Sequence, residues 1–362
     1  MNRSPLLLVM AGGTGGHIFP GLAVANYLRN KGWNIHWLGS EQGMEKNIVE
    51  AEDIEITLLP VSGVRGKSII HKLFSPILIL RSIWQARKCL KKISPDVVLG
   101  MGGFASGPGG VAARILRLPL VIHEQNAIAG YTNKLLATIS TKVLAAFPKA
   151  FADDQKVEIV GNPIRKSLCE LESPSNRFNH RDGALRVLII GGSRGAYILN
   201  KILPEAMQKV QQPIALRHQC GAGNKDAVEH LYTQNPNSHE VEVFDFIDDM
   251  ANAFAWADIV ICRAGALTVS ELMAVGLGAL FVPYPFAVDD HQTANAQIMV
   301  DKKAAKIIQQ QDFNAESCSQ WMQAMSRKKA QQMAIAATDK KSHQVTARIS
   351  NVCASLAQQE AA

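Results

Sequence analysis

The 362-residue sequence is most informative at first for what it does not contain. Its six cysteines (Cys89, Cys169, Cys220, Cys262, Cys318 and Cys353) are scattered and form no C-x-x-C pair, which leaves neither a zinc-site spacing nor a disulfide framework. They read as free, buried thiols of a reducing compartment. Neither Asp-x-Asp nor His-Glu-x-x-His occurs, so no motif requires a metal ion. No stretch approaches the ~20 apolar residues of a membrane span. The apolar run after Arg3 is short and ends in glycines, so it does not read as a signal peptide. Aromatics are few at 6%, yet 47% of residues are hydrophobic, which suits a globular core and excludes disorder as the main state. Acidic residues are missing altogether between Arg65 and Lys92, where Lys67, Lys72, Arg81, Arg87, Lys88 and Lys91 also lie. That segment alone could supply the net charge of +7. A basic surface of this kind suits nucleic acid, anionic lipid or a phosphorylated substrate.

What is present is a repeated device. Leu6–Met10 is an apolar run leading into Gly12-Gly-Thr-Gly-Gly-His17, after which Ala23, Val24, Tyr27 and Leu28 follow a helical spacing. Strand, glycine-rich turn and helix bring backbone N–H groups up to a phosphate. The loop is not a P-loop, because no Lys-Ser/Thr follows, and its spacing is not the dinucleotide G-x-G-x-x-G. The device recurs at Leu188-Ile-Ile-Gly-Gly-Ser-Arg-Gly-Ala196. Length and repetition predict two domains. Strands are expected at Leu6–Met10, Ile35–Leu38, Ile56–Leu59, Val97–Met101, Leu120–His123 and Val143–Ala146 in the first half, after which Val157–Val160 leads into Gly161-Asn-Pro-Ile-Arg165. In the second half they are expected at Arg186–Ile190, Ala215–Gln219, Val241–Phe244, Ile259–Cys262 and Ala279–Val282. Continuous apolar strands alternating with helices predict an α/β fold with parallel sheets covered on both faces. The polar stretch Glu170–Gly183 reads as an interdomain linker or surface loop. The last helix, about His343 to Gln358, should pack through Val345, Ile349, Val352 and Leu356, and it is expected to return to the first domain. The expected domains are residues 1–164, joined by 343–362, and residues 165–342.

In such sheets ligands bind beyond the carboxyl ends of the strands. The unusual loops all fall there, and they carry the candidate chemistry. Gly191-Gly-Ser-Arg-Gly195 offers a diphosphate cradle with the Ser193 hydroxyl. In Arg263-Ala-Gly-Ala-Leu-Thr-Val-Ser-Glu271, two readings stand side by side. Thr268 and Glu271 fit a capping box, or the turn meets a ligand and Glu271 accepts ribose hydroxyls. Asp289-Asp-His-Gln-Thr-Ala-Asn295 offers amides and an imidazole suited to sugar hydroxyls. His17 and the cluster His123-Glu-Gln-Asn126 are acid–base candidates. A helix from Ser75–Pro76 to Ile93 would bury Ile79, Ile83, Ala86, Leu90 and Ile93. The opposite face would present Ile77, Arg81, Trp84, Lys88 and Lys91, a composition suited to a membrane interface. Ile69, Ile70, Lys72, Leu73 and Phe74 would extend that patch. Nucleic acid is disfavoured, because no recognisable binding module accompanies the charge.

Taken together and in order, these motifs closely resemble the MurG family, the peptidoglycan N-acetylglucosaminyltransferases that convert lipid I to lipid II. The matching residues are Gly12 to His17, Pro95-Asp-Val-Val-Leu-Gly-Met-Gly-Gly103 with Ser106-Gly-Pro-Gly-Gly110, and His123-Glu-Gln-Asn126 with Ala129-Gly130. Gly161-Asn-Pro-Ile-Arg165, Gly191 to Ala196, Phe246-Ile-Asp248, Arg263 to Glu271 and Asp290-His-Gln292 complete them. One departure is Phe104, where some members carry Tyr.

The resemblance implies the GT-B fold, with two Rossmann-like domains facing across a cleft and the nucleotide mostly on the second. It implies an inverting transfer from UDP-N-acetylglucosamine to the 4-hydroxyl of the muramyl residue of undecaprenyl-pyrophosphoryl-MurNAc-pentapeptide, with no cofactor required. Ile247 would meet the uracil and Glu271 the ribose. Ser193, Arg165 and the turn Ala266, Leu267 and Thr268 would serve the diphosphate region, and Val269 and Ser270 would belong to the same substrate-binding stretch. Asn126 and Gln292 would reach the N-acetylglucosamine. Thr14, Gly15 and Gly16 would lie on the acceptor side, with His17 as base. Implied partners are the donor, polyprenyl-linked lipid I, an anionic membrane surface and other cell-wall or division proteins, at the cytoplasmic face of the bacterial inner membrane. Two rivals predict different behaviour. A UDP-N-acetylglucosamine 2-epimerase would act without acceptor, and a nucleotide-sugar-binding regulator would bind UDP without turnover.

Overall fold

A computed structural model describes residues 3–41, 43–61, 75–151, 156–179, 181–192, 195–234 and 239–359, with side chains of the helix that opens at Ser75 described from Leu78 onward. The chain forms two compact units. One comprises Met1–Ile164 and His343–Ala362, and the other Arg165–Ser342.

The first unit is built on a seven-stranded sheet, in the order β3-β2-β1-β4-β5-β6-β7. Its strands are β1 (Leu6–Ala11), β2 (Asn34–Ser40), β3 (Glu55–Leu59), β4 (Val97–Gly102), β5 (Leu120–Glu124), β6 (Lys142–Ala145) and β7 (Val157–Ile159). Every pairing is parallel. Leu7, Leu8, Val9 and Met10 are all fully buried, so β1 is covered on both faces, as its unbroken apolar run requires. The second unit has six strands in the order β10-β9-β8-β11-β12-β13. They are β8 (Leu185–Ile190), β9 (Ile214–Gln219), β10 (Glu240–Phe244), β11 (Ile259–Cys262), β12 (Gly278–Phe281) and β13 (Ala305–Ile307), again all parallel. The short β13 carries Lys306 between two half-buried residues and has too weak a pattern to be read from sequence.

Strand order reverses between β1 and β4 in one unit and between β8 and β11 in the other. These switch points are where doubly wound sheets take ligands. The glycine loop after β1, the loop after β4, the glycine loop after β8 and the Arg263–Gly265 turn after β11 sit at them.

The final helix, Val345–Gln359, packs on the helix Gly15–Arg29 and on β4. Val345, Ile349, Cys353 and Ala357 are buried there, with Val352 and Leu356 partly so. The polar stretch Glu170–Gly183 is not a linker. The chain passes into the second unit at Arg165, and the stretch holds a short helix, Pro174–Phe178, capped by Ser173. Arg177 is buried there because its guanidinium donates to the carbonyls of Val275 (2.8 Å) and Gly276 (2.6 Å), the negative end of the helix Ala266–Val275.

The helix Ser75–Ile93 buries a shorter stripe than its apolar spacing predicts. Ser82, Ala86 and Leu90 are buried, but Ile79 is 48% exposed and does not join that stripe. Leu78 and Leu80 are exposed beside it.

Candidate active site

On the first unit, Thr14 precedes the helix Gly15–Arg29 without a side-chain cap, and no acidic residue lies in its first turn. The N–H groups of Gly15 and Gly16 therefore open the helix at its positive end, a setting for an anion. Glu45 supports this loop from beneath. Its carboxylate is fully buried, accepting from Ser40 N (2.6 Å), Ser40 Oγ (2.7 Å) and Gly13 N (3.1 Å). A Cβ on Gly12 would collide with the Glu45 carboxylate, which would have to shift to make room for it. Sequence reading missed Glu45. The only local signal was an acid in the glycine-containing loop after β2.

His17 projects from the first turn of that helix, and its Nδ1 lies 2.9 Å from Gln125 Oε1. Gln125 Nε2 reaches His123 Nδ1 (3.1 Å) and the His123 carbonyl (3.2 Å), and His123 Nε2 meets the Gly161 carbonyl (2.8 Å). His123 is fully buried, and burial pushes its imidazole down to about 4, so it is neutral at neutral pH. Asn126 stands in the same loop on the first unit, its Nδ2 donating to Glu124 Oε1 (3.0 Å). Glu124 also accepts from Asn126 N, Gly130 N and Asn133 Nδ2, so its carboxylate knits the loop together.

On the second unit, Glu271 Oε1 accepts from Arg165 Nη2 at 3.0 Å. Burial raises the Glu271 carboxyl, and Arg165 opposes the shift. The capping box is not formed. The helix starts at Ala266 with Gly265 as its cap residue and no side-chain cap, which places Thr268 inside the first turn. The N–H groups of Ala266, Leu267 and Thr268 thus face outward with no acid in that turn, a second anion setting. Val269 does not belong to it, since its side chain is fully buried and its N–H donates to Gly265 O. Ser270 is buried as well. Gln292 Oε1 accepts from Tyr284 N (2.9 Å) and Ala264 N (3.3 Å), which ties the ends of two strands and turns its NH2 outward. Among the described residues, the N–H and C=O of Ile247 make no hydrogen bond. Ser193 lies outside the described residues.

The proposed membrane face centres on the helix Ser75–Ile93. Arg81 and Lys88 are exposed, Leu80 is 66% and Trp84 61% exposed, and Lys88 Nζ lies 5.8 Å from the Trp84 ring centroid. The Ile77 side chain and residues 62–74 lie outside the described residues. No helix among the described residues is long and apolar enough to cross a membrane. No metal-ligating cluster is formed among them either.

Two Rossmann-like parallel-sheet units, each with a glycine loop and an uncapped helix end at its switch point, define a GT-B type glycosyltransferase. Residues 7–145 match the glycosyltransferase family 28 N-terminal domain, and residues 186–349 match the family 28 C-terminal domain. A protein of Aeromonas hydrophila subsp. hydrophila is 54% identical over 314 residues, covering 87% of this chain and 86% of its own. Another from Shewanella frigidimarina is 48% identical, covering 99% and 98%. Both are named UDP-N-acetylglucosamine–N-acetylmuramyl-(pentapeptide) pyrophosphoryl-undecaprenol N-acetylglucosamine transferase. The crystal structure of Acinetobacter baumannii MurG superposes with a TM-score of 0.85 at 39% identity, over 97% of this chain and 99% of that one. The chain belongs to the MurG family of glycosyltransferases.

Proposed function

We propose that this chain transfers N-acetylglucosamine from UDP-N-acetylglucosamine to the muramyl 4-hydroxyl of undecaprenyl-pyrophosphoryl-MurNAc-pentapeptide, converting lipid I to lipid II. The observation that carries the reading is the pairing of two uncapped, acid-free helix ends at the two switch points with family membership across nearly the whole chain.

The second unit holds the donor. Ile247 offers its backbone to uracil, Glu271 accepts ribose hydroxyls, and Gln292 turns its NH2 toward the sugar. The N–H groups of Ala266, Leu267 and Thr268, with Arg165 and Ser193, take the diphosphate. As UDP departs, its growing negative charge is met by that helix end and by Arg165, without a metal or other cofactor. The first unit holds the acceptor. Thr14, Gly15 and Gly16 admit the lipid diphosphate at the helix end of this unit, and Asn126 meets the N-acetylglucosamine being transferred. His17 Nε2 takes the proton from the attacking 4-hydroxyl. Attack on the face opposite UDP inverts the anomeric centre.

The face formed by Leu78, Leu80, Arg81, Trp84 and Lys88 holds the enzyme on the anionic cytoplasmic surface of the inner membrane, where the polyprenyl acceptor resides, and by sequence position Ile77 is assigned to the same contact. Other cell-wall or division proteins are further partners in that setting. Purified chain, UDP-[14C]N-acetylglucosamine and a lipid I analogue should yield a labelled disaccharide lipid. Donor consumption without acceptor, or saturable UDP binding with no product, would reject the reading.

A further inference from the structure

Gln125 connects two histidines that stand far apart in the sequence, and two backbone carbonyls fix the polarity of that connection. A carbonyl oxygen can only accept. The Gly161 carbonyl therefore requires the proton of His123 on Nε2, which leaves a lone pair on His123 Nδ1. Burial keeps this imidazole neutral, with one N–H and one lone pair. The His123 carbonyl and His123 Nδ1 are then both acceptors facing the Gln125 amide, so the NH2 of Gln125 must point at them. Its Oε1 consequently faces His17 Nδ1, which must donate. The lone pair of His17 is left on Nε2, where among the described residues no hydrogen bond is made.

The chain of bonds is braced at both ends. Gln125 is buried, and its own carbonyl accepts from Asn162 Nδ2 at 3.0 Å. Gly161 sits at a φ of +95°, and a Cβ there would stand 2.8 Å from Val345 Cγ2. The C-terminal helix thus closes directly behind the carbonyl that anchors the series.

We propose that Gln125 and His123 are positioning residues that lock His17 in its Nδ1–H tautomer, so that Nε2 is always the atom ready to take the acceptor proton. The inference rests on the reading of His17 as base. A histidine side chain free in water favours the opposite tautomer, with the proton on Nε2. Each enzyme molecule without the lock would therefore be mostly in a form that cannot accept a proton at that atom.

The test uses the full-length protein labelled with 15N-histidine, the His17 signals being assigned from their loss in His17→Asn. Wild type should give a protonated Nδ1 and an unprotonated Nε2. Gln125→Met, similar in size but without an acceptor oxygen, should shift His17 to the Nε2–H form. Its kcat should fall about tenfold or more, with KM for UDP-N-acetylglucosamine little changed, because the groups assigned to uracil, ribose and diphosphate lie on the other unit. Gln125→Glu still offers His17 an oxygen and should keep the Nδ1–H signal and recover part of the rate. A wild-type Nε2–H signal, or a Gln125→Met protein that keeps both tautomer and kcat, would overturn the lock. Full activity in His17→Asn would instead overturn its catalytic purpose, and the two failures are told apart by the spectrum.

Discussion

Glu45 offers the sharpest test of how the Gly12–His17 loop is held. Its carboxylate is fully buried, serves three donors, and has no cation within ion-pair distance among the described residues. It sits at the first position of the helix Glu45–Glu50, whose positive end favours an acidic side chain. In Glu45→Gln one oxygen becomes an NH2, which must then face either the Ser40 N–H or the Gly13 N–H. Leaving such a donor unpaired costs about 1–3 kcal/mol, and exchanging charge-assisted bonds for neutral ones adds to that, giving about 2–4 kcal/mol. Glu45→Ala removes all three acceptors and leaves a cavity, for about 3–5 kcal/mol. Denaturant unfolding would report the loss, with Trp37 as a nearby reporter, since its Nε1 donates to the Ala11 carbonyl just ahead of the loop. Hydrogen exchange at Gly13 and Ser40 should accelerate first. Because the loop leads into His17, kcat should drop while KM for UDP-N-acetylglucosamine holds. A Glu45→Gln protein within about 0.5 kcal/mol of wild type, with normal kcat, would refute the argument.

Three further outcomes are expected. His123 and His218 are held neutral by burial, near 4 and 3, while their unfolded forms take a proton near 6.5. The unfolded state therefore binds more protons below pH 6.5, and stability should fall on acidification by up to about 1.4 kcal/mol per pH unit for each histidine, down to about pH 4. A flat unfolding profile between pH 7 and 4 would contradict this. Glu271→Ala should raise KM for UDP-N-acetylglucosamine roughly 10- to 150-fold, the equivalent of about 1.5–3 kcal/mol for charged hydrogen bonds, and an unchanged KM would remove Glu271 from the ribose. Trp84→Ala with Lys88→Glu should weaken binding to anionic vesicles at least tenfold in low salt, while turnover of a water-soluble acceptor stays normal. Equal vesicle binding by variant and wild type would exclude that face.

The sheets were legible because β1 and β11 are unbroken apolar runs, and a strand buried on both faces has no other pattern to show. The glycine loops were legible for the same local reason. What escaped depends on distance along the chain. Glu45 is recognisable only once Gly13 and Ser40 lie against it. Gln125 stood within a candidate cluster, but its role depends on the Gly161 carbonyl and the face that carbonyl presents. The Thr268–Glu271 capping signature was overridden because Gly265 already begins the helix, freeing Glu271 to meet Arg165. Ile79 keeps the helical period of Ala86 and Leu90 yet is 48% exposed, and a period does not mark where along a helix its cover ends.

The central claim is an inverting transfer to one hydroxyl, so the most direct measurement is the structure of the product. Purified enzyme should be given UDP-N-acetylglucosamine, whose sugar is α-linked, and a lipid I analogue, and the product linkage read by NMR. A β-linked N-acetylglucosamine on the muramyl 4-oxygen, with UDP released in equal amount, is the expected result. An α-linkage, another hydroxyl, or free sugar in place of the disaccharide would contradict the account.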